Sequence, residues 1–561
     1  GVTLAVAVLI SAFVSLTITP VLNVVLNRKN AHEGWFYKKT EPFFVGMESG
    51  YKKLLLGFMK IRRAAWAIVL ACIGIIVLIM GTLKSEIAPL EDRSSIRFSV
   101  TGAEGTSYNY MKQVGDDVSN FLYDSVPERD FVFVRTPGFG PVGSTNSSTP
   151  RLALVDPELR KRSQNDIAND LQKKLGRFND ARIFAIQEQT ISVGLASRGS
   201  LPVQFILQNQ DLAKLKAIIP KFLEEARKDK TFSNVDVNIK FNKPEVQLTV
   251  NRMKAKDLGL STSDVVAAVQ SAFSGGRLAY FIMDGFQYSV IAQVERDKRN
   301  NPNDISNLYV RNKNGDNIPL DAVVKMEESS NPATLYHFNR YKAATISASL
   351  AEGKTIGDGI KAMNDIGNRL LDESYQTSLT GPSRDYSESS SNIVFAFVLA
   401  LLLIYLVLAA QFESFLDPFI IMLTVPLALA GALLSLYVFD QTLNIFSEIG
   451  MIMLIGLVTK NGILIVEFAN QKRKFGLAKK AAVVEAATQR LRPILMTSLA
   501  TSLGALPIAM SLGAASTSRI PLGIVVVGGI IFSLILTLLV IPAVYTFISG
   551  THKAKAIEIT E

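Results

Sequence analysis

Hydrophobic residues along this chain fall into two regimes. Seven apolar runs, at 2–26, 64–83, 392–410, 415–438, 449–469, 493–512 and 520–548, approach or exceed the ~20 residues that a helix needs to cross a bilayer core. Between the second and third lie 308 residues, 84–391, where short β-branched and aromatic stretches alternate with amphipathic ones. The strands this predicts are 95–100, 130–136, 151–155, 181–187, 202–208, 235–240, 245–250, 287–294, 308–311 and 342–350. Helices are predicted at 107–124, 163–178, 211–228, 261–273 and 355–372, the fourth opening on a serine placed to cap it. The recurring strand, helix, strand order favours small α+β subdomains of the split βαβ (ferredoxin-like) type over an all-β sandwich, and 308 residues hold several. Segment 35–60 is too charged to span, yet its aromatic and aliphatic residues recur at helical spacings. It predicts a helix along a membrane surface, with a packed juxtamembrane linker as the plainer alternative.

The 561 residues carry a formal charge of +10, which raises nucleic acid as a partner until the charge is located. Segment 27–63 holds nine Lys/Arg against three Glu, and segment 470–492 holds seven against Glu485, so the two sum to +12 and the rest to −2. Both flank apolar runs. By the positive-inside rule they are cytoplasmic, alternation puts 84–391 on the opposite side, and no nucleic-acid surface remains. Three histidines and one cysteine form no metal pattern, and no phosphate-cradling glycine loop or nucleophile elbow is present, so no cofactor, metal or enzyme constellation is expected. The cysteine, Cys72, lies inside a span, which leaves the exterior region without disulfides, as a bacterial periplasm allows. Gly1 is not an initiator and the first run lacks a signal-peptide pattern, so the chain is expected to be the C-terminal part of something longer.

One polar residue changes the picture. Lys460 has eleven residues of the 449–469 run before it and nine after, so the nearer end is roughly 13 Å away along a helix. A cation there costs ~2.5–3.5 kcal/mol even on the lenient insertion scale. Snorkelling along the aliphatic stem is the bland reading, but the stem spans about half that distance. An ion-pair or proton-coupling site is the functional one. No carboxylate sits at matching depth: Glu467 is near the cytoplasmic end and Asp417 at a span edge. The counter-charge is therefore expected outside this chain. Arg490 and Thr497, seven residues apart, share a helix face about 10 Å apart if their helix starts before Arg490. Alternatively Arg490 and Arg492, ahead of Pro493, merely mark a span's cytoplasmic end. Glycines and prolines in 136–150 (TPGFGPVGSTNSSTP) predict a long loop, either a moving gate or a surface excursion.

The run Gly456-Leu-Val-Thr-Lys-Asn-Gly-Ile-Leu-Ile-Val-Glu-Phe-Ala469, followed by Arg490-Leu-Arg-Pro-Ile-Leu-Met-Thr497-Ser, closely resembles helices ten and eleven of the resistance-nodulation-cell division (RND) exporters, hydrophobe/amphiphile (multidrug) branch. Gln411-Phe-Glu-Ser414 and the Gly138-Phe139-Gly140 loop extend the resemblance over essentially the whole chain. It implies the end of transmembrane helix six at 1–26, a cytoplasmic basic or interfacial helix at 27–63, and helix seven at 64–83. Periplasmic porter subdomains would occupy 84–244 and 331–391, with a docking subdomain inserted at 245–330. Helices eight, nine and ten would lie at 392–410, 415–438 and 449–469, a basic loop and the start of helix eleven at 470–492, helices eleven and twelve at 493–512 and 520–548, and a cytoplasmic tail at 549–561.

The resemblance also implies a role for each site. Lys460 would pair with two aspartates of the missing N-terminal half, with Arg490 and Thr497 lining the same proton relay. Gly138, Phe139, Gly140 and Leu154 would face substrate. The expected unit is a homotrimeric proton antiporter in the bacterial inner membrane, drawing on the proton gradient without a cofactor. Its partners would be the lipid bilayer, a periplasmic adaptor and an outer-membrane channel, not nucleic acid. Pro141 stands where the multidrug pattern often has a second aromatic, and Leu154 about where another pocket phenylalanine would be, which puts breadth of drug recognition in question. The alternatives are export of a lipid or envelope metabolite on the same fold, or a non-transporting membrane-tethered scaffold. A buried unpaired cation speaks against the scaffold.

Overall fold

The computed structural model describes residues 2–26, 35–138, 145–188, 190–191, 201–332, 334–511 and 517–550. Contacts divide the chain into two compact units, Gly1–Glu91 with Ser387–Glu561, and Asp92–Tyr386. The first opens with α1 (Val2–Leu26), α2 (Trp35–Phe58) and α3 (Ala64–Met80). The chain turns through 90° between α2 and α3. Tyr51 of α2 donates its hydroxyl to the Leu538 carbonyl at 2.7 Å, so α2 is held against the bundle by its aromatic face.

Unit Asp92–Tyr386 contains one topology twice. The first copy runs β1 (Ser95–Gly102), α4 (Tyr108–Ser125), β2 (Arg129–Phe133), the two-residue β3 (Ser147–Ser148), β4 (Arg151–Leu154), α5 (Gln164–Leu175) and β5 (Ala181–Gln187). Its strands pair antiparallel in the order β2, β4, β1, β5, with β3 also on β1. Alternation places Ile96, Phe98 and Val100 of β1 inward, against Met111, Val118 and Leu122 of α4 and Ile167 and Leu171 of α5. Serine caps begin both helices: Ser107 accepts from the Tyr110 amide, and Ser163 forms a capping box with Asp166.

The second copy begins with β6 (Val203–Asn209), α6 (Leu212–Lys228) and β7 (Phe232–Val237). An insert follows, comprising β8 (Lys243–Val250), α7 (Arg252–Asp257), α8 (Thr262–Val269), the hairpin β9 (Gly276–Met283) and β10 (Phe286–Ala292), β11 (Tyr309–Arg311), β12 (Asn317–Pro319) and β13 (Val324–Asn331). Then come β14 (Tyr336–Phe338), β15 (Tyr341–Leu350), α9 (Ile356–Leu370) and β16 (Gln376–Leu379). Apart from β14, which also pairs with β15, the sheet order is β7, β15, β6, β16, the same as in the first copy. Phe205 of β6 stacks on Phe222 of α6 with centroids 5.8 Å apart. Gly359 lets α9 approach the sheet, since a Cβ there would lie 2.5 Å from Val203 Cγ2. The insert leaves and returns through one antiparallel ribbon, β8 on β13, and buries its own core around Leu260, Val265, Val310 and Leu320.

Back in the first unit, α10 (Gly381–Phe412), α11 (Leu416–Met422), α12 (Thr424–Val438), α13 (Ile445–Lys474), α14 (Lys479–Ala509) and α15 (Ile520–Ile548) complete the chain. Among the described residues six spans are long and apolar enough to cross a membrane, or seven if the bent α2–α3 pair counts as one. The run expected to begin at 493 starts instead at Lys479, and the helix continues through Pro493 and Pro507. The run at 415–438 is broken at Leu423 between α11 and α12. Small residues let α15 pack closely on its neighbours. A Cβ at Gly523 would lie 2.3 Å from the Ala509 amide nitrogen, one at Gly528 2.0 Å from Ser435 Oγ, and one at Gly529 2.3 Å from Leu454 Cδ2. By contrast α1 and α10 expose apolar side chains such as Phe13, Leu16, Phe395 and Leu402.

Candidate functional site

Lys460 is the sixteenth residue of the thirty in α13 and lies on an exposed face. It makes no hydrogen bond or ion pair with the described residues. Its sequence neighbours point the other way. Thr459 and Asn461 are buried, and Asn461 Nδ2 donates to Ser498 Oγ of α14 at 3.1 Å. Ser498 follows Thr497, so this bond puts Lys460 and Thr497 at the same height in the bundle. Thr497 is half-buried, its hydroxyl turned to the Ile494 carbonyl at 3.3 Å.

Because α14 starts at Lys479, Arg490 lies eleven residues inside the helix and shares it with Thr497. Its guanidinium sits 4.3 Å over the ring of Phe468 on α13, and its buried Nε has no partner among the described residues. Arg492 faces elsewhere: it pairs with Glu41 of α2 at 3.0 Å and lies 4.4 Å from the Phe44 centroid. The two arginines are therefore distinct, one turned to α13 and one to α2. Glu467 accepts from Gln471 at 3.0 Å on an exposed surface, away from Lys460.

Asp417, assigned to a span edge from its position in the sequence, is 4% exposed and accepts from Asn470 Nδ2 at 2.8 Å. The Tyr545 hydroxyl donates to Asn470 Oδ1 at 2.5 Å, and Arg473 reaches the same hydroxyl at 3.3 Å and Ser549 at 2.8 Å. This network ties α11, α13 and α15 together. Sequence reasoning missed it because its members are scattered over more than a hundred residues with no spacing to mark them.

The loop residues are only partly visible. Phe139 and Gly140 lie outside the described residues. Gly138 donates its amide to the Ser147 carbonyl at 2.9 Å, and a Cβ there would meet Thr149 Cγ2 at 2.9 Å, so the start of the loop is clamped on β3. Leu154, expected to face substrate, points into the core of the first copy with 4% exposure. Its place on an inward position of β4 gives it a packing role. A cavity of about 500 Å³ does open between the two copies, lined by Phe178, Arg182 and Phe184 on one side and by Arg227, Phe232 and Val235 on the other. Arg182 also pairs with Asp236 across this gap. Among the described residues no cluster of His, Cys, Asp and Glu could hold a metal ion.

Residues 1–549 match the family model described as AcrB/AcrD/AcrF. The chain belongs to this family of RND transporters. Members are secondary transporters rather than enzymes. An uncharacterized transporter of Haemophilus influenzae is 31% identical over 561 residues, covering 98% of this chain and 53% of that protein. Multidrug resistance protein MdtC of Klebsiella pneumoniae is 29% identical over 560 residues, again covering 98% and 53%. The MdtC protein of Proteus mirabilis is 28% identical over 560 residues, covering 99% and 54%. This RND chain thus spans about half the length of the curated relatives it matches.

Proposed function

We propose that the chain is the C-terminal half of a proton-driven inner-membrane exporter of amphiphilic small molecules. The observation that carries this reading is the relay face of α13 and α14. Lys460 is exposed at mid-helix with no partner among the described residues, level with Thr497, and Arg490 has a buried unbonded Nε on the adjoining helix. A cation so placed needs an acid, and two aspartates of an N-terminal half would supply the charge. Protonating them would leave Lys460 uncompensated, and its reorientation would move α13 as a rigid body. The two matching βαββαβ copies are read as ferredoxin-like porter subdomains, and the insert between β7 and β15 as the docking subdomain, both periplasmic. The right angle between α2 and α3 suits an interfacial helix on the cytoplasmic side.

Three phenylalanines and Arg227 around the cavity between the copies suit an amphiphile with an anionic group, the charge of Arg182 being met by Asp236. A homotrimer working with an adaptor and an outer-membrane channel completes the reading. The decisive experiment compares wild type and Lys460→Met in the complete transporter. Efflux should disappear while assembly persists; retained efflux would sink the coupling role. A lipid or envelope metabolite as cargo is the second reading, favoured to the extent that the cavity binds an anionic lipid better than a cationic drug.

A further inference from the structure

The segment 84–91 joins α3 to the start of unit Asp92–Tyr386, and its backbone is not a free tether. The Leu443 amide donates to the Lys84 carbonyl at 2.8 Å, the Glu86 amide to the Leu443 carbonyl at 3.0 Å, and the Ile445 amide to the Ile87 carbonyl at 3.1 Å. Ser85 and Leu443 form a parallel bridge. The side chains reinforce it. Thr442 donates its hydroxyl to the Glu86 carboxylate at 2.6 Å, and Ser518, just before α15, donates to Glu91.

Asn444 ties this strap to the relay helix. It is 1% exposed, and its Nδ2 donates to Thr442 at 3.0 Å, to both the carbonyl and the hydroxyl. Its Oδ1 accepts from the Phe446 and Ser447 amides at 3.0 and 3.1 Å, which makes it the N-cap of α13. One buried side chain thus holds the first turn of α13 and the strand that grips 84–87. Between Asn444 and Lys460 lies roughly 24 Å of continuous helix.

From this geometry we infer that Thr442 and Asn444 are positioning residues that make α13 and the 84–91 linker one mechanical piece. A displacement of α13 at Lys460 is then delivered to the linker, and along the chain to Asp92. The inference rests on the proton-coupled reading above and adds the element that carries its motion. Backbone hydrogen bonds in a short parallel bridge resist sliding better than a flexible tether, and Thr442 holds the register by fixing Glu86.

Proteoliposomes carrying the complete transporter test this, with substrate flux and substrate-linked proton uptake measured together. Thr442→Val keeps the side-chain volume and removes the hydroxyl, both as donor to Glu86 and as one of the two acceptors for Asn444 Nδ2. It should lower substrate flux at least about tenfold, the size of the lost hydrogen bond to the Glu86 carboxylate alone, while proton uptake continues. Thr442→Ser should restore flux. A disulfide between cysteines introduced by Ser85→Cys and Leu443→Cys should leave flux within about twofold of wild type, since the strap moves as a unit. Unchanged flux and stoichiometry in Thr442→Val, or flux stopped by the disulfide and recovered on reduction, would overturn the strap alone. A wild type that takes up no protons with substrate would overturn the coupling reading and the strap with it.

Discussion

Replacing Lys460 by methionine should act in opposite directions on membrane insertion and on transport. Within the apolar run 449–469 of α13, Lys460 stands roughly 13 Å from the nearer end, whereas a lysine stem reaches roughly 6 Å. Snorkelling therefore recovers little, and the lysine costs about 2.5–3.5 kcal/mol at mid-helix, against a value near zero for methionine. At 1.36 kcal/mol per decade, Lys460→Met should raise the inserted-to-uninserted ratio of the segment about 70- to 400-fold. Translocon-mediated insertion of residues 445–474 into microsomes, read from flanking glycosylation sites in a host balanced near half insertion, measures it directly. In the complete transporter the same substitution should abolish efflux. Equal insertion of both versions would mean that the helix satisfies its own lysine, and the need for a partner outside the chain would vanish.

Phe468→Leu keeps apolar bulk beside Arg490 but removes the ring under its guanidinium. About 0.5–2 kcal/mol of positioning should be lost, visible as a shifted pH profile of transport, with Phe468→Tyr close to wild type. Gly523→Ala drives a Cβ to 2.3 Å from a backbone nitrogen of α14, whereas Gly529→Ala meets chiefly the tip of Leu454, with the Ala428 carbonyl next at 3.3 Å. The first should lower the melting temperature in detergent clearly more than the second, at a cost of about 1–3 kcal/mol. In the exterior unit, hydrogen bonds from Arg162 hold the Glu128 carboxyl below its usual range. A folded-state pKa below the unfolded one means that the pair's stabilisation is present above about pH 4.3 and fades as pH falls through the folded value. Glu128→Gln should therefore destabilise by roughly 0.5–1 kcal/mol at pH 7 and by progressively less as pH falls below the usual carboxylate range, checked by thermal unfolding across that range.

Most helices of the exterior unit were legible because their starts are written in single residues: Ser261 caps as the pattern placed it, and Ser107, Ser163, Asp211 and Thr355, read as first helical residues, are also N-caps. Strands with one wet face were equally plain, and 181–187 matches β5 end to end. Missed strands had no period to read. β13 (VKMEESSN) is polar after Val324 and Met326 and is a strand because β8 pairs with it, while β9 (GRLAYFIM) is apolar on both faces and largely exposed. Proline misled the reading of α14: Pro493 suggested a first turn, but the helix had already formed from Lys479. At the candidate site, Lys460 was conspicuous from its depth alone. Its geometry was not, since the Asn461–Ser498, Phe468–Arg490 and Asp417–Asn470 contacts depend on how separate helices pack.

The repeated topology carries one more consequence. In each copy the connection from second to third strand departs from the same corner of the sheet. In the first it is the stretch between Phe133 and Arg151 that contains the glycine-rich loop; in the second it is everything from β8 to β14. The same connection thus differs between the copies: the first holds the two-residue β3, and the second holds a self-cored module on a two-stranded stalk. The strand order of the two sheets is nevertheless the same. An inserted module at that corner is therefore compatible with an unchanged strand order, because the two sheets share one order with and without it.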